Sequence, residues 1–516
     1  MFLLMPDAQS VLLESDVPLS DSVIWRLQRD FYVQRGIKAW TEDRIPQFIT
    51  NNPFIAEIYA RIVFNFLSEC PDISGGRPLR IFELGAGVGK FSYLFLRHLT
   101  ALLRSKDMAP ETVRYCMTDC SDSFPAAWRA NDYFADFVQA GILQFERFEV
   151  GSEIKSEFLR SRGPLVVIAN YVFDSLPQDA FVIKDADLSE ALVTTSAPAQ
   201  AADELRGLQL SYKNVAVLTE RYEDQSWNQI LEQYRKKFSA ATVLFPSAAL
   251  WALQELYRSA DGRMLVLAAD KGFAHEEEWS LTQGPPTLDF HASSCFSQMV
   301  NFDAIAQYFR VSGGKALLPE KHFTSLNICA FLRGRPGDEF PATTLAYREA
   351  QAVIGPDDVF TLLAWLNAHM EEMTVPQILS ALRLTRWDPI ALMRFFPVLG
   401  RQLRTVATER YDLRDAVFKT WANHFPVIQR ENELAFQCGV ILLELRFFAE
   451  AAEMFKISQR IFGPSAATSF NLGLCSLGLG NSTDALAFTI EACCLDPHFE
   501  PASTLRSKLE DRNVQY

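Results

Sequence analysis

The spacing of hydrophobic positions changes twice along the chain, and each change predicts a change of architecture. Residues 22–36 and 53–70 have apolar side chains at three- and four-residue spacing, which is typical of helices that bury one face. From residue 79 onwards, short apolar runs alternate with helical stretches, and after residue 341 only the helical spacing continues. The pattern therefore predicts three parts: an N-terminal helical segment at 1–75, an α/β domain at 76–335 and an all-α domain at 342–516.

The alternation in the middle part predicts a Rossmann-like α/β domain, in which a parallel sheet is covered by helices on both faces. Strands are predicted at 79–85, 113–119, 142–150, 164–173, 180–185, 263–270 and 325–333. Residues 201–262 mix polar and apolar positions at helical spacing, and we expect a helical insertion there. Gly, Pro and acidic residues at 334–341 predict a linker to the last part.

The last part of the chain contains an internal repeat. Gly439 and Gly473 are 34 residues apart, and so are Ala451 and Ala485. This period, with small residues at fixed points, is typical of tetratricopeptide repeats, in which paired helices approach each other closely. Such stacks need about three units, so helices from 342–430 are expected to complete the stack.

Charge and composition exclude several classes of protein. The formal net charge of −14 and the absence of a dense Lys/Arg run argue against binding of duplex nucleic acid. The sequence contains neither a long uncharged apolar run nor the pattern of a signal peptide, and its nine cysteines lack the spacing of a zinc site. We therefore expect a cytoplasmic protein with reduced thiols, which does not bind membranes and has small molecules or proteins as partners. A homodimer is left open.

The segment IFELGAGVGKF, residues 81–91, carries the first chemical information. A predicted strand delivers Glu83, and a helix is predicted to start after three glycines at alternate positions, namely Gly85, Gly87 and Gly89. Glycines allow a tight turn and let a ligand lie against bare backbone. The segment lacks the GxGxxG spacing of dinucleotide-binding loops, and Lys90 is followed by Phe91 rather than Ser or Thr. NAD(P) binding and a phosphate-binding P-loop are both disfavoured.

The pattern E-L-G-A-G-V-G resembles the first motif of class I S-adenosylmethionine methyltransferases. The resemblance implies that this loop, with Ala86, passes under the methionine portion of S-adenosyl-L-methionine and that Glu83 meets its amino group. Asp119 ends the next predicted strand, where a carboxylate can accept hydrogen bonds from both ribose hydroxyls; the alternative is a turn-forming Asp in TDCSDS. The other residues predicted to bind the cofactor are Cys120, Glu146 and Asn170.

A second resemblance involves ANYVFDSLPQDAF, residues 169–181. This stretch is similar to NEFFDALP in the MidA-type methyltransferase family, which includes the mitochondrial arginine methyltransferase needed for respiratory complex I assembly. Further segments that resemble this family are FITNNPFIAEIYA (48–60), MLVLAADKG (264–272) and VNFDAIAQYF (300–309). The resemblance covers residues 40–333 loosely, and the first and fourth strand motifs are its most specific points.

One position departs from the family pattern. Tyr171 stands where the family has Glu, and a carboxylate there would suit a guanidinium group because the two can pair through two hydrogen bonds. Arginine as the methyl acceptor is therefore left open. Asp174 matches the family motif and is the predicted acceptor-side catalytic carboxylate, with Tyr171 beside it. Glu146 and His291 are alternatives.

Two functions remain in consideration. The first is a methyltransferase that acts on a protein or peptide, which the repeat domain recruits, because helical repeats generally bind peptides in a concave groove. The second is a non-catalytic binding protein, which the Tyr171 substitution favours. Within the first, a small-molecule acceptor stays open because the 40 phenylalanines would suit an apolar pocket.

Overall fold

The computed structural model of the protein describes residues 10–41, 49–74, 76–151, 156–199, 205, 207–218, 220–291, 295–320, 326–352, 355–426 and 433–513. The chain divides into two compact units, Met1–Asp357 and Asp358–Tyr516. Parts of several predicted segments, including residues 1–9, 42–48, 201–204, 321–325 and 427–432, lie outside the described residues.

The first unit is built from two larger sheets with helices around them. Its strands are β1 (Ser10–Val17), β2 (Leu79–Leu84), β3 (Val113–Asp119), β4 (Leu143–Arg147), β5 (Leu165–Asn170), β6 (Asp179–Lys184), β7 (Asp187–Pro198), β8 (Gln209–Ala216), β9 (Ala240–Phe245), β10 (Met264–Asp270), β11 (Gly272–Phe273), β12 (Asp289–His291), β13 (Cys295–Ser297), β14 (Val300–Asn301), β15 (Lys315–Leu317) and β16 (Asn327–Arg333). Its helices are α1 (Val23–Arg35), α2 (Lys38–Thr41), α3 (Pro53–Ser68), α4 (Pro71–Ser74), α5 (Lys90–Ser105), α6 (Ser123–Arg129), α7 (Ala135–Gln139), α8 (Glu157–Arg160), α9 (Gln225–Lys237), α10 (Ser247–Ser259), α11 (Phe302–Val311) and α12 (Pro341–Ala352).

The main sheet has seven strands in the order β15-β16-β10-β5-β2-β3-β4. The five strands from β10 to β4 are parallel, whereas β16 and β15 are antiparallel to their neighbours. The chain runs outward from β2 to β4 and then returns to β5, so the strand order reverses between β2 and β5. Such a switch point opens a crevice at the carboxyl ends of the strands, where ligands bind in doubly wound sheets. Five of the predicted strands form the expected parallel sheet, whereas the last predicted strand, β16, is antiparallel to it. The strand predicted at 180–185 is β6, which belongs to the second sheet.

The second sheet corrects the prediction for residues 201–262. That stretch was predicted to be a helical insertion, but besides α9 and α10 it contains β8 and β9. Both strands belong to an antiparallel sheet in which β7 pairs with β1, β6 and β8, and β9 pairs with β6. The physical reason is the side-chain period: QLSYKNVA alternates with a period of two, and ATVLF is a short apolar run that fits a buried strand equally well.

The N-terminal segment is only partly helical. Helices α1 and α3 lie where they were predicted, and the Asn52 side chain caps α3 by accepting a hydrogen bond from the Ile55 N–H at 3.0 Å. In contrast, Ser10–Val17 forms β1, which pairs with β7 far along the chain. The helical prediction for 1–75 was wrong for this strand because its partner lies about 180 residues away, and pairing over such a distance leaves no local signal.

The predicted start of the all-α domain at residue 342 is also corrected. Helix α12 belongs to the first unit, because the Glu69 carboxylate caps it by accepting hydrogen bonds from the N–H groups of Ala342 at 2.7 Å and Thr343 at 3.0 Å. The Tyr347 hydroxyl donates to the Ile328 carbonyl oxygen at 2.7 Å, which fixes α12 to β16. The division between the units therefore follows α12 rather than preceding it.

The second unit is helical. Its helices are α13 (Pro356–Ala368, which begins just before the unit), α14 (Val375–Leu384), α15 (Pro389–Gln402), α16 (Arg410–Ala422), α17 (Leu434–Glu444), α18 (Phe448–Phe462), α19 (Ala466–Gly478), α20 (Ser482–Leu495) and α21 (Glu500–Asn513). A Cβ atom at Gly439 would lie 2.7 Å from the Phe455 ring, and one at Gly473 would lie 3.0 Å from the Thr489 hydroxyl. The two repeated glycines thus let α17 approach α18 and α19 approach α20. Assignment of these pairs to the tetratricopeptide class stays a prediction.

Within the part of the chain that the structure describes, no helix has both the length and the apolar character that crossing a membrane requires. All nine cysteines are free thiols.

Candidate active site

A cavity of about 670 Å³ opens at the switch point of the main sheet. Its wall consists of the glycine loop after β2, the end of β3, the loop after β4, the turn after β5, one face of α1 and the β12–β13 hairpin. This volume lies in the range of small-molecule and cofactor sites, which are about 300–1,000 Å³. The cavity therefore lies where a parallel sheet of this topology offers a ligand site.

The glycine loop presents bare backbone to the cavity. Gly85 and Gly87 have positive φ angles of 62° and 54°, which glycine adopts without the steric cost that a Cβ atom would bring. The Ala86 N–H donates to the Thr118 carbonyl oxygen at 2.9 Å and fixes the loop to β3. A Cβ atom at Gly85 would also lie 3.0 Å from the Val172 side chain. The sequence therefore needs glycine here both for the turn and for the close approach of the turn after β5.

Asp119 holds the glycine loop from the end of β3. Its carboxylate accepts hydrogen bonds from the Gly87 N–H at 3.0 Å and from the Cys120 N–H at 2.8 Å, one on each oxygen. Burial raises the pKa of Asp119 to about 6. The hydrogen bonds from the two N–H groups favour the ionised form and make this rise smaller. A carboxylate has about four lone-pair positions. Each oxygen can therefore accept a further hydrogen bond from a ligand hydroxyl, as predicted for this residue.

Glu83 lines the cavity next to the glycine loop and is buried, with only 4% of its surface exposed. Its Oε2 atom accepts hydrogen bonds from the Ser92 hydroxyl at 2.5 Å and the Tyr115 hydroxyl at 2.8 Å. Burial raises the pKa of Glu83 to about 7, and these two hydroxyls oppose the shift. The two bonds fix the carboxyl group at the end of β2, next to the glycine loop.

Two residues that were predicted to bind the cofactor lie elsewhere. Gly89 is the N-cap of α5 with a φ of 84°, and a Cβ atom there would lie 2.8 Å from both Met117 and Phe134. It is thus a glycine because the core leaves no space for a side chain, and it is not among the residues that line the cavity. Glu146 accepts a hydrogen bond from the Phe158 N–H at 3.2 Å and lines a separate, more polar cavity.

The turn after β5 forms the opposite wall. Asn170 accepts a hydrogen bond from the Tyr59 hydroxyl at 2.8 Å through Oδ1, while its buried Nδ2 atom has no hydrogen-bond partner among the described residues. Tyr171 has a φ of 52°, a left-handed conformation that costs a non-glycine residue energy and is frequent at functional sites. The backbone is held in it by a hydrogen bond from the Tyr171 N–H to the Ala269 carbonyl oxygen at 2.8 Å. Both residues line the cavity.

Asp174 lines the same cavity and is only 5% exposed. The Ser175 hydroxyl donates to its Oδ1 atom at 2.9 Å, and burial raises the pKa of Asp174 to about 6. The Asp174 N–H donates to the Asp270 carboxylate at 3.2 Å. The sequence prediction did not include Asp270. It ends β10 as Asp119 ends β3, so the same rule about the carboxyl ends of parallel strands indicates it.

Other cavity residues come from elements that sequence reasoning did not connect with the site. Gln28 and Tyr32 of α1 line it, and Gln28 accepts a hydrogen bond from the Phe296 N–H at 2.7 Å. Lys271 forms an ion pair with Asp289 at 3.3 Å. In a helix, a face that lines a cavity has the same spacing as a face that packs in a core, which explains why α1 carried no separate signal.

His291, the alternative helper, also lines the cavity, and its Nε2 atom is 2.8 Å from the Ser297 hydroxyl. Among the residues that the structure describes, no cluster of His, Cys, Asp and Glu has the arrangement of a metal site.

Residues 60–303 match a protein family described as "Putative S-adenosyl-L-methionine-dependent methyltransferase". This part of the chain is similar to S-adenosyl-L-methionine-dependent methyltransferases. The matched region contains the glycine loop, Asp119, the turn after β5 and Asp270, and so it includes most of the cavity wall. The family match therefore identifies S-adenosyl-L-methionine as the cofactor.

Solved structures from Burkholderia thailandensis also align with the chain. Two crystal structures of one superfamily, one native and one bound to S-adenosyl-homocysteine, are each 15% identical and cover 63% of this chain and 89% of the solved chain, with a TM-score of 0.42. An O-methyltransferase family protein is 11% identical over 63% of this chain and 67% of its own, with a TM-score of 0.26. No curated protein matches the chain.

The residues at the cavity fit S-adenosyl-L-methionine. The bare backbone at 85–87 leaves space for the methionine portion, and the Asp119 carboxylate keeps lone pairs for the ribose hydroxyls. The Asn170 Nδ2 group is a buried donor without a protein partner, and a buried donor of this kind needs an acceptor from a ligand or water. Seven of the residues that were predicted to bind the cofactor line the cavity, namely Glu83, Gly85, Ala86, Gly87, Asp119, Cys120 and Asn170.

Proposed function

We propose that this protein transfers a methyl group from S-adenosyl-L-methionine to a nitrogen atom of a protein or peptide. The observation that carries the proposal is Asp174, a buried carboxyl that lines the same cavity as the glycine loop and Asp119. A buried carboxylate can accept the proton that an N–H, O–H or S–H group loses when it is methylated. We propose nitrogen among these because a carboxylate also stabilises the positive charge that an amine or guanidine nitrogen gains in the reaction.

The cofactor supplies a methyl group on a sulfonium sulfur, which is already a good leaving group, so the protein mainly aligns the acceptor and excludes water. When the new nitrogen–carbon bond forms, the nitrogen gains positive charge and one N–H proton must leave. Asp174 is ionised above its pKa of about 6 and can accept that proton. Tyr171, held in its strained turn beside the cavity, is proposed to orient the acceptor.

A transfer assay with full-length protein tests this proposal. Cofactor with a labelled methyl group, incubated with the protein and a cell extract, is expected to label proteins or peptides. Asp174→Asn should lower the rate by about a hundredfold, the middle of the range for general-base catalysis. The matched control is Asp187→Asn at an exposed position in β7, which should leave the rate unchanged.

Three other results would contradict the proposal in different ways. Label that appears only in low-molecular-weight material would indicate a small-molecule acceptor. Label on oxygen or sulfur would contradict the proposed nitrogen acceptor. Cofactor binding without any transfer would favour the non-catalytic alternative, which is suggested by Tyr171 in the position where the resembling family has Glu.

We further propose that the helical unit recruits the acceptor. The support is its series of paired helices with a 34-residue repeat, because stacks of such pairs form extended surfaces that bind peptides. A chain that ends after Asp357 should bind S-adenosyl-homocysteine like the full chain but label the protein acceptor far more slowly. Equal labelling by both chains would refute recruitment, and unchanged cofactor binding shows that the shortened chain is folded.

A further inference from the structure

A second carboxyl lies next to Asp174 and has no role in the mechanism so far. Asp270 is the last residue of β10 and has 0% exposure. Its Oδ2 atom accepts a hydrogen bond from the Asp174 N–H at 3.2 Å, whereas Asp174 but not Asp270 lines the cavity. The two carboxyl groups also interact with each other, because each affects the pKa of the other. The site therefore contains a carboxyl pair of which only Asp174 lines the cavity.

The hydrogen bonds of the two carboxyl groups indicate that either Asp174 or Asp270 carries a proton. The Oδ1 atom of Asp270 is buried and has no donor among the described residues. An unpaired charged oxygen in such a position is strongly destabilising, and two adjacent carboxylates cannot both ionise readily. A proton shared by the pair removes both problems, because a protonated carboxyl donates to the oxygen of its neighbour.

The surroundings indicate which member keeps the proton. Tyr59 from α3 and Cys329 from β16 interact electrostatically with Asp270, and both are neutral at pH 7 because burial raises the pKa of each. Lys271 instead acts on Asp174, where it favours the ionised form. Burial, and after it the charge of Asp174, raise the pKa of Asp270 well above its ordinary value.

We propose that Asp270 is a positioning residue that stays protonated at neutral pH and donates a hydrogen bond to Asp174, so that the pair presents one negative charge to the acceptor nitrogen. This inference rests on the proposed function. It explains how two buried carboxyl groups can lie next to each other without repulsion. It also implies that the acceptor carries an N–H group or a positive charge, since an acidic acceptor would be repelled.

Infrared difference spectra of the full-length protein test the protonation directly. At pH 8, Glu83, Asp119 and Asp174 are mostly ionised because their pKa values are about 7, 6 and 6. The wild-type protein should therefore show a buried protonated carboxyl band that disappears in Asp270→Asn and persists in Asp187→Asn. Identical spectra of wild type and Asp270→Asn would overturn the proposal. This measurement needs no substrate.

Transfer rates test the positioning role. Asp270→Asn keeps both an acceptor for the Asp174 N–H and a donor for its carboxylate, so its rate should stay within about threefold of wild type, while Asp270→Ala should lose about tenfold or more, as expected for one lost hydrogen bond to a charged group. Equal large losses in both variants would overturn the donor role. Binding of S-adenosyl-homocysteine shows whether the alanine variant is folded.

The pH profile of the rate gives a readout that a merely structural role would not move. The wild-type rate should fall as pH drops through the Asp174 pKa of about 6. Loss of the Asp270 donor in Asp270→Ala should move this inflection to higher pH, whereas Asp270→Asn should leave it in place. An unmoved inflection in both variants would contradict the proposal. Absence of transfer in the wild-type protein would overturn the proposed function instead, and the infrared result would remain separate.

Discussion

At the scale of single residues, the site is defined by carboxyl groups that are buried and yet lie at a cavity. Glu83, Asp119 and Asp174 end three parallel strands or follow them directly, and burial raises the pKa of each. Buried carboxyl groups ionise less readily than exposed ones until a ligand provides hydrogen-bond donors or a positive charge. The amino and hydroxyl groups of the cofactor, and a cationic acceptor, are ligands of this kind.

The raised pKa of Glu83 predicts a pH effect on stability. Its carboxyl binds a proton more tightly in the folded state than in the unfolded state, so its contribution to stability is complete below pH 4.5 and is lost as pH rises through about 7. The unfolding temperature of Glu83→Gln should therefore fall less between pH 5 and pH 8 than that of the wild type. Thermal unfolding at a series of pH values measures this. Glu111→Gln, at an exposed position, is the control, and equal slopes in Glu83→Gln and wild type would contradict the prediction.

Asp119 provides a test of cofactor affinity. Asn at this position can still accept from one N–H group, but it loses the charge and presents an NH₂ group where the other oxygen was. Hydrogen bonds to charged groups contribute about 1.5–3 kcal/mol, so Asp119→Asn should bind S-adenosyl-homocysteine about tenfold to a hundredfold more weakly. Calorimetry measures the affinity, with Asp187→Asn as the control. An unchanged affinity would exclude Asp119 from the cofactor site.

Single residues differed in how well the sequence revealed them. Glu83 and Asp119 were predictable because each follows a buried strand in a glycine-containing motif. Asp270 also ends a strand, but its importance depends on its distance from Asp174, which the sequence does not contain. Gly89 was assigned to the cofactor from its place in the glycine motif, whereas its close contacts with Met117 and Phe134 explain why it is a glycine.

At the scale of elements, most strands of the main sheet were predicted, whereas only β6 of the second sheet was. The strands β2, β5 and β10 are almost entirely buried, and long apolar runs mark such strands clearly. In contrast, β8 is exposed along most of its length, and its stability depends on pairing with β7. The hydrophobic pattern of a sequence indicates directly which strands are buried, but it indicates only indirectly which strands pair with each other.

The helix pairs of the second unit give a stability prediction with an internal control. Gly439→Ala would place a Cβ atom 2.7 Å from the Phe455 ring and should destabilise the protein by about 1–3 kcal/mol through overpacking. Gly400 is also within a helix, but a Cβ atom there meets nothing within 4 Å. Gly400→Ala should therefore stabilise the protein by up to about 1 kcal/mol. Denaturant unfolding measures both, and equal effects of the two substitutions would refute the close approach of α17 and α18.

At the scale of the whole molecule, the sequence predicted an α/β part followed by a helical part, and the structure has two such units. The exact division was missed because α12 has an ordinary helical pattern, and only its contacts with α3 and β16 show that it belongs to the first unit. The acceptor could not be predicted either, because it depends on side chains from α1, the turn after β5 and the β12–β13 hairpin, which only folding brings together.

The most direct test of the central claim is calorimetric titration of the full-length protein with S-adenosyl-homocysteine. The account predicts binding of one ligand per chain by the wild type. It also predicts loss of that binding in Gly87→Asp, since an aspartate would strain the left-handed backbone of the glycine loop and bring a second negative charge close to Asp119, which accepts a hydrogen bond from the Gly87 N–H. No binding by the folded wild-type protein at millimolar ligand, or equal binding by the variant, would contradict the account.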